Sequence, residues 1–285
     1  MNYKSHIVII LLISVFIFPA NNIYASKILT DQMGRKVIIP DNPIRVVSLA
    51  PSITEIIFAL AQEDRLAGVT RFSDFPEAAK NLPKVGSYVH LDLEKIVSLK
   101  PDLCIGIKDG NPKFVVNRLE SLGIPVYAVN PKNLQTVMKT ITEIGIFLNA
   151  SKKANSVVQN MKSRIQRVKT KIANVTYRPR VFFQIGIAPI VSVGTNTFTN
   201  ELIELAGGNN LSKGPIPYPR FSKEQVLSLS PEVFIITSMS RNTIFEQVKK
   251  EWSKWPSLPA VRDKRIHLED SNLFDRPTPR LVDGL

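Results

Sequence analysis

The stretches Glu94-Lys-Ile-Val-Ser-Leu-Lys-Pro-Asp102 and Glu224-Gln-Val-Leu-Ser-Leu-Ser-Pro-Glu232 are two versions of one segment. Glu, Ser, Leu and Pro recur at the same offsets, and the other positions agree in kind. Each reads as a short helix that leads through Pro into a strand: Leu103 to Ile107 in the first case, Val233 to Thr237 in the second. A repeat of this length implies two lobes of one fold, with Glu94 and Glu224 at equivalent places.

Outward from the first copy, Arg45-Val-Val-Ser-Leu-Ala50 is a short apolar run rich in β-branched residues, as a buried strand requires. Ser52-Ile-Thr-Glu55 follows with capping-box spacing and is expected to open a helix through Ile56, Ile57, Phe58 and Leu60. Phe114 to Leu122 reads as a helix stopped by Gly123, and Pro125 to Val129 as a strand. Asn133 caps a helix with Leu134, Val137, Met138, Ile141, Ile144 and Leu148 on one face. Outward from the second copy, Arg180-Val-Phe-Phe-Gln-Ile185 repeats the opening strand, and Asn200 to Ala206 is a helix ended by Gly207-Gly208. Strands alternating with helices imply an α/β fold with parallel sheets.

Between the copies, Ala154, Val158, Met161, Ile165, Val168, Ile172 and Val175 recur in steps of four and three. That is a narrow apolar seam on one continuous helix, about 37 Å long from Ser151 to Val175 at 1.5 Å per residue. A three-heptad coiled coil is the competing reading. The seam lacks acidic partners, which favours a strut lying on the protein's own surface. The expected organisation is a leader at 1–25, a first lobe at 26–150, a linking helix at 151–177 and a second lobe at 178–285.

The 285 residues carry 37 Lys+Arg against 24 Asp+Glu, a net charge of +13. Lys4 followed by the apolar run Ile7–Phe18, Pro19 and the small residues Ala25-Ser26 has the form of a secretory signal, with cleavage expected after Ala25. The run is short for a bilayer span of ~20 residues, which argues against an uncleaved anchor. Removing Lys4 from +13 leaves +12, and residues 151–180 hold nine basic residues and no acidic one. Concentrated on one helix of an exported protein, that charge reads as a solvated face near anionic polymer or lipid, not as a nucleic-acid interface. The lone Cys104 excludes an intramolecular disulfide, and its place in a strand makes it a small buried hydrophobe.

Chemistry-bearing patterns are absent: no H-E-x-x-H, G-x-S-x-G or P-loop occurs, and His90 and His267 are far apart. The loops instead carry aromatics: Phe72, Phe75, Tyr88, Tyr218 and Phe274, beside Gly, Pro and Ser. Core aromatics sit within periodic elements, so these mark the edges of a cleft between lobes, suited to a bulky planar ligand. About half of them are expected to touch it, the rest anchoring loops.

Arg45-Val-Val-Ser-Leu-Ala-Pro-Ser-Ile-Thr-Glu55, Gly68-Val-Thr-Arg-Phe-Ser-Asp-Phe-Pro76, the Leu93–Asp102 segment and Asp270-Ser-Asn-Leu-Phe-Asp-Arg-Pro-Thr-Pro-Arg280 resemble the helical-backbone substrate-binding proteins of ABC importers, over the whole mature chain. Among them the likeness is to the cobalamin binders. The resemblance implies two α/β lobes joined by one long helix, with the ligand between them. Carried over by motif, Phe72 and Tyr88 would clasp a corrin from the first lobe and Tyr218 from the second. Ile185 stands where the cobalamin binders have Phe and Ile107 where they have Trp; Tyr88 and Tyr218 also replace Trp. Arg276 matches an Arg near the pocket.

The resemblance further implies that Glu94 and Glu224 meet arginines on the two subunits of a membrane permease. The repeat makes physical sense of this, since equivalent carboxylates on similar lobes suit a symmetric dimer. The competing reading is two helix N-terminal acids favoured by the macrodipole. The expectation is thus a periplasmic, monomeric, non-enzymatic binding protein with no resident cofactor and no metal site, delivering cobalamin or a related corrinoid to an ABC importer. A ferric-siderophore or haem binder is the rival within the family, with His90 as a candidate iron ligand. A secreted enzyme or adhesin is the rival outside it. Where the family usually closes with a longer terminal helix, only Arg280 to Leu285 remain here, an expected cost in stability to the second lobe.

Overall fold

The computed structural model describes residues 25–237 and 244–285. The apolar leader at 1–24 lies outside the described residues. The chain first forms an antiparallel hairpin, β1 (Ser26–Thr30) and β2 (Lys36–Pro40), turned at Gly34, whose φ of +78° suits glycine. A four-stranded sheet follows, built from β3 (Val46–Ser48), β4 (Leu66–Gly68), β5 (Leu103–Ile107) and β6 (Val126–Val129). Its order is β4-β3-β5-β6 and every pairing is parallel.

Helices cover both faces: α1 (Pro51–Ala59), α2 (Leu93–Ser98), α3 (Lys113–Ser121) and α4 (Leu134–Phe147). Val46, Leu103, Ile105 and Tyr127 pack with Ile53, Ile57, Ile141 and Ile144. Val47, Cys104 and Val126 face the other way, onto Ile96, Val115 and Leu119. Alternate residues thus bury on opposite faces, which is why these strands read as unbroken apolar runs. Asn133 caps α4 through a capping box, and Gly123 ends α3 with a φ of +78°.

The capping box expected at Ser52 and Glu55 does not form. Ala50 is the N-cap and Pro51 the first helical residue, with no side-chain cap. Pro51 has no N–H and a φ already suited to the helix, so the start needs no side-chain acceptor. Glu55, 4 % exposed, is committed to two arginines from the other end of the chain.

The long helix α5 is Ser151–Ile172, about 33 Å at 1.5 Å per residue. Ala154, Val158, Met161 and Ile165 are buried along its seam, and a Cβ on Gly145 of α4 would overlap that of Ala154, so the two helices approach through small residues. Val175, expected to extend the seam, lies beyond the helix and is 47 % exposed. With nothing packed over that last position, the apolar period does not carry the helix further.

The second lobe holds β7 (Arg180–Gly186), β8 (Ile190–Ser192), β9 (Asn209–Asn210), β10 (Arg220–Phe221), β11 (Val233–Ile236) and β12 (Ile266–Leu268). Strands β7, β11 and β12 run parallel, as does the short β9 beside β7, while β8 and β10 extend the sheet antiparallel. Its helices are α6 (Phe198–Leu205), α7 (Lys223–Leu229), α8 (Ile244–Ser253), α9 (Pro259–Arg262) and α10 (Ser271–Phe274). Phe182, Phe234 and Trp252 form its separate core, and Trp252 Nε1 donates to Gln184 Oε1 at 2.9 Å.

The sequence repeat is a structural repeat. Helices α2 and α7 each lead into the strand parallel to their lobe's first strand. Asp102 accepts from the backbone N–H of Arg45 at 3.1 Å and Ile44 at 2.7 Å; Glu232 accepts from that of Arg180 at 2.7 Å. The Arg45 guanidinium donates to the carbonyl of Leu99, and that of Arg180 to the carbonyl of Leu229. The acid ending each repeat therefore fixes the start of the lobe's first strand, while the arginine closes the preceding helix.

A continuous apolar core runs from the first lobe along α5 into Phe183, Phe198 and Leu202 of the second. The final segment crosses back: a turn at Pro279–Val282 packs on α1, α4 and α5, burying Leu281 and Val282, and Asp283 pairs with Arg164 of α5. The lobes are thus joined by α5 and by this returning segment. Among the described residues no helix is long and apolar enough to cross a membrane.

Candidate functional site

A cavity of about 420 Å³ opens between the lobes at the C-terminal ends of their central strands, and no α5 residue lines it. This is where an open parallel sheet places a ligand: the loops after the strands converge there while the backbone of each strand remains paired. From the first lobe come Ala50, Pro51 and Ser52 at the start of α1, Phe72, Tyr88, Ile107 and Asp109. From the second come Ile185, Val193, Phe198, Tyr218 and Asp275, with Arg276.

All six residues singled out from the sequence as ligand contacts, namely Phe72, Tyr88, Ile107, Ile185, Tyr218 and Arg276, border this cavity. Phe72 and Tyr218 are 42 % and 48 % exposed, aromatic faces open to a ligand. The other two loop aromatics do not line it. Phe75 is covered by the Arg280 guanidinium, 3.7 Å from its ring centre, and Phe274 is buried against Phe183. His90, the candidate iron ligand, is exposed and outside the lining.

Tyr88 is held from behind by two residues that sequence reading passed over. Gly110 lies directly under its ring, where any Cβ would overlap the ring carbons, and has a φ of +142°. Asn111 Nδ2 donates to the carbonyls of Tyr88 and Leu49, each at 2.8 Å, and its Oδ1 accepts from the N–H of Ile107 at 2.7 Å. One side chain thus fixes the ends of β3 and β5 and the Tyr88 loop together. The adjacent Asp109-Gly110-Asn111 turn signal offered a hint, but the partners are far apart in sequence.

Arg276 contributes differently from an ordinary pocket cation. Its Nη1 donates to Glu55 Oε1 at 2.8 Å and to Asp74 Oδ1 at 3.1 Å, and its Nη2 donates to the carbonyl of Phe72 at 3.0 Å. Arg280 Nε donates to the other Glu55 oxygen at 2.9 Å. The guanidinium is therefore neutralised within the protein. It clamps the returning segment to the first lobe and holds the Phe72 loop in place. The Thr54 hydroxyl, one residue before Glu55, lies 2.9 Å from those of Ser48 and Ser73, donating to one and accepting from the other, and secures the same corner.

Among the described residues two carboxyl groups border the cavity without a salt-bridge partner, Asp109 and Asp275. Asp109 stands exposed on the first-lobe rim. Asp275 accepts from Thr237 Oγ1 at 3.1 Å through Oδ1, whereas its shielded Oδ2 has no partner among the described residues. Burial raises the Asp275 carboxyl to about 7, opposed by the Thr237 hydrogen bond and the Arg276 charge. The Tyr218 hydroxyl is also raised, by burial first and then by Asp109, Asp275 and Tyr88, so these four groups share one electrostatic neighbourhood across the cleft.

Among the described residues no nucleophile with an adjacent base lines the cavity. Cys104 lies in β5, its thiol raised to about 12 by burial and by Asp102, and so stays protonated. Among the described residues no group of three or more His, Cys, Asp or Glu is placed to hold a metal ion. Glu94 and Glu224 do not line the cavity. Each is the exposed second residue of its short helix, α2 or α7. The Glu224 carboxyl is held below the usual range by its own backbone N–H and by Ser222.

The sequence profile of a family described as periplasmic binding proteins matches residues 46–273. A curated relative, the vitamin B12-binding protein of Vibrio parahaemolyticus, is 32% identical over 243 residues, which span 85% of this chain and 86% of the relative. The solved periplasmic vitamin B12-binding protein of Vibrio cholerae superposes with a TM-score of 0.76 at 30% identity, covering 85% of this chain and 93% of that one. A periplasmic haem-binding protein from Pseudomonas aeruginosa superposes with a TM-score of 0.77 at 28% identity, covering 85% and 90%.

Proposed function

The chain belongs to the periplasmic binding protein family, and from that premise we propose that it captures cobalamin or a related corrinoid and delivers it unaltered to an ABC importer. The observation that carries this reading is the cleft itself, with Phe72 and Tyr88 on one lobe and Tyr218 and Phe198 on the other. Flat apolar side chains from two sides suit a flat ligand, and their burial stabilises the complex by ~25 cal/mol per Å² of apolar area. The curated relatives named for vitamin B12 support the same ligand.

The rest of the reading follows from delivery. The protein works in the periplasm as a monomer, released from a leader at 1–25, with lobes at 26–150 and 178–285 around a linking segment at 151–177 that contains the helix Ser151–Ile172. It carries its ligand as cargo and needs no cofactor of its own. Glu94 and Glu224 dock the two lobes on the permease dimer, setting orientation and encounter rate. Haem is the second reading, favoured by the haem-binding neighbour and by two cavity tyrosines able to ligate iron. Titrating the purified protein with cyanocobalamin, haemin and a ferric siderophore, followed by absorbance and calorimetry, separates the readings. Saturable 1:1 binding of cyanocobalamin alone is expected; a shifted Soret band with haemin and no response to cyanocobalamin would replace the corrinoid with haem.

A further inference from the structure

Among the described residues, the charged ones that border the cavity are Asp109, Asp275 and Arg276. The positive charge of Arg276 is answered by Glu55 and Asp74. Among the described residues the cleft therefore offers a ligand two carboxyl groups as hydrogen-bond partners and no unpaired cation to answer an anion. One of their oxygens, Asp275 Oδ2, is shielded from water and unpartnered among the described residues, an arrangement that costs free energy unless a donor arrives. Opposite, the first turn of α1 at Pro51 and Ser52 borders the same space, and since Pro51 has no N–H it is the Ser52 N–H that stands there as a donor. Acceptors on some walls and a donor on another match a primary amide, which needs both. A carboxylate has no N–H for the two acids and meets their repulsion.

We propose that this cleft selects a macrocycle rimmed by neutral amides over one bearing carboxylates, with Asp275 and Asp109 accepting from the amide N–H groups of the ligand. The inference rests on the corrinoid reading of the site and deepens it: a corrinoid edge carries primary amides, whereas haem carries two propionates. Asp275 and Asp109 are then specificity-determining residues, and the aromatic side chains supply affinity for either kind of ring.

The test compares cyanocobalamin with its three separated monocarboxylic acids, in each of which one peripheral propionamide is hydrolysed. Size and shape are kept and one amide becomes a carboxylate. Wild-type protein is expected to bind at least one isomer about tenfold or more weakly than cyanocobalamin, the scale of a like-charge contact at a partly screened site. In a folded D109N/D275N variant the difference should shrink to about twofold. Should D275N fail to fold, as circular dichroism would reveal, D109N alone, on the exposed rim, is expected to lose part of the discrimination. Equal binding of cyanocobalamin and all three acids by the wild type would overturn this inference and leave the corrinoid reading intact, as would full discrimination retained in the folded variants. Failure of the folded wild type to bind cyanocobalamin would overturn both.

Discussion

Arg276 Nη1 lies 2.8 Å from Glu55 Oε1, joining two residues that stand 221 positions apart. Glu55 belongs to the first helix and Arg276 to the segment that returns from the second lobe. The carboxylate is almost wholly buried, and the same guanidinium reaches Asp74 and the carbonyl of Phe72. One side chain therefore closes the hinge side of the cleft and shapes its aromatic rim.

Replacing that arginine removes a partner from a buried carboxylate. Arg276→Ala is expected to lower unfolding free energy by about 3 kcal/mol, the scale for breaking one side of a buried pair. Arg280, which still meets Glu55, tempers the loss. Urea denaturation monitored by the two tryptophans would measure it, and a change under about 0.5 kcal/mol would show that the clasp is inert.

Gly110 sets the position of Tyr88. Gly110→Ala places a methyl group where the ring now lies, at a backbone angle that an L side chain resists. Affinity for cyanocobalamin should fall about tenfold or more if Tyr88 is a ligand wall, since small displacements in a packed pocket are costly. Calorimetric titration checks this, with the melting temperature separating a local shift from unfolding.

Asp275 gives stability a pH dependence of known sign. Its folded value is raised to about 7, so between about pH 4 and pH 7 the native state holds a proton that the unfolded chain has released. Its contribution to stability is present at low pH and is lost as the pH rises through that window. Asp275→Asn removes the titration. Relative to wild type, the variant should gain stability from pH 4 to pH 7 and gain no more above it. A stability difference independent of pH would mean that Asp275 is not buried in its neutral form.

Glu94 and Glu224 are exposed on equivalent helices, so charge reversal there leaves the cleft untouched. The double variant Glu94→Lys, Glu224→Lys should retain cyanocobalamin affinity within about twofold and lose most importer-dependent uptake. Wild-type uptake by that variant would remove the docking role.

Cys104 should resist modification by a thiol reagent in the folded protein and react once the protein is unfolded in urea. Its burial and a thiol value of about 12 leave almost no thiolate at pH 7. Rapid labelling under native conditions would contradict the packing of β5.

The repeat around Glu94 and Glu224, the apolar strands and the seam of α5 could all be read along the chain, because they express short-range rules. Strand and helix periods, Pro and Gly stops and side-chain caps act within a few residues. The loop aromatics were legible for a related reason: Phe72, Tyr88 and Tyr218 stand beside turn residues, where packing within an element does not explain them. Other features depended on the fold being closed. The spacing of Ser52 and Glu55 promised a helix cap, yet folding delivered two arginines to Glu55 from more than 220 residues away. Asn111 and Gly110 gained their roles only when the Tyr88 loop was laid across the end of β5. That Asp275 Oδ2 has no partner among the described residues, and that Arg276 beside it is neutralised, likewise depend on which side chains converge in three dimensions. Local patterns follow from backbone geometry and the hydrophobic period. The charge that a cleft presents follows from long-range pairing, and no one-dimensional spacing contains it.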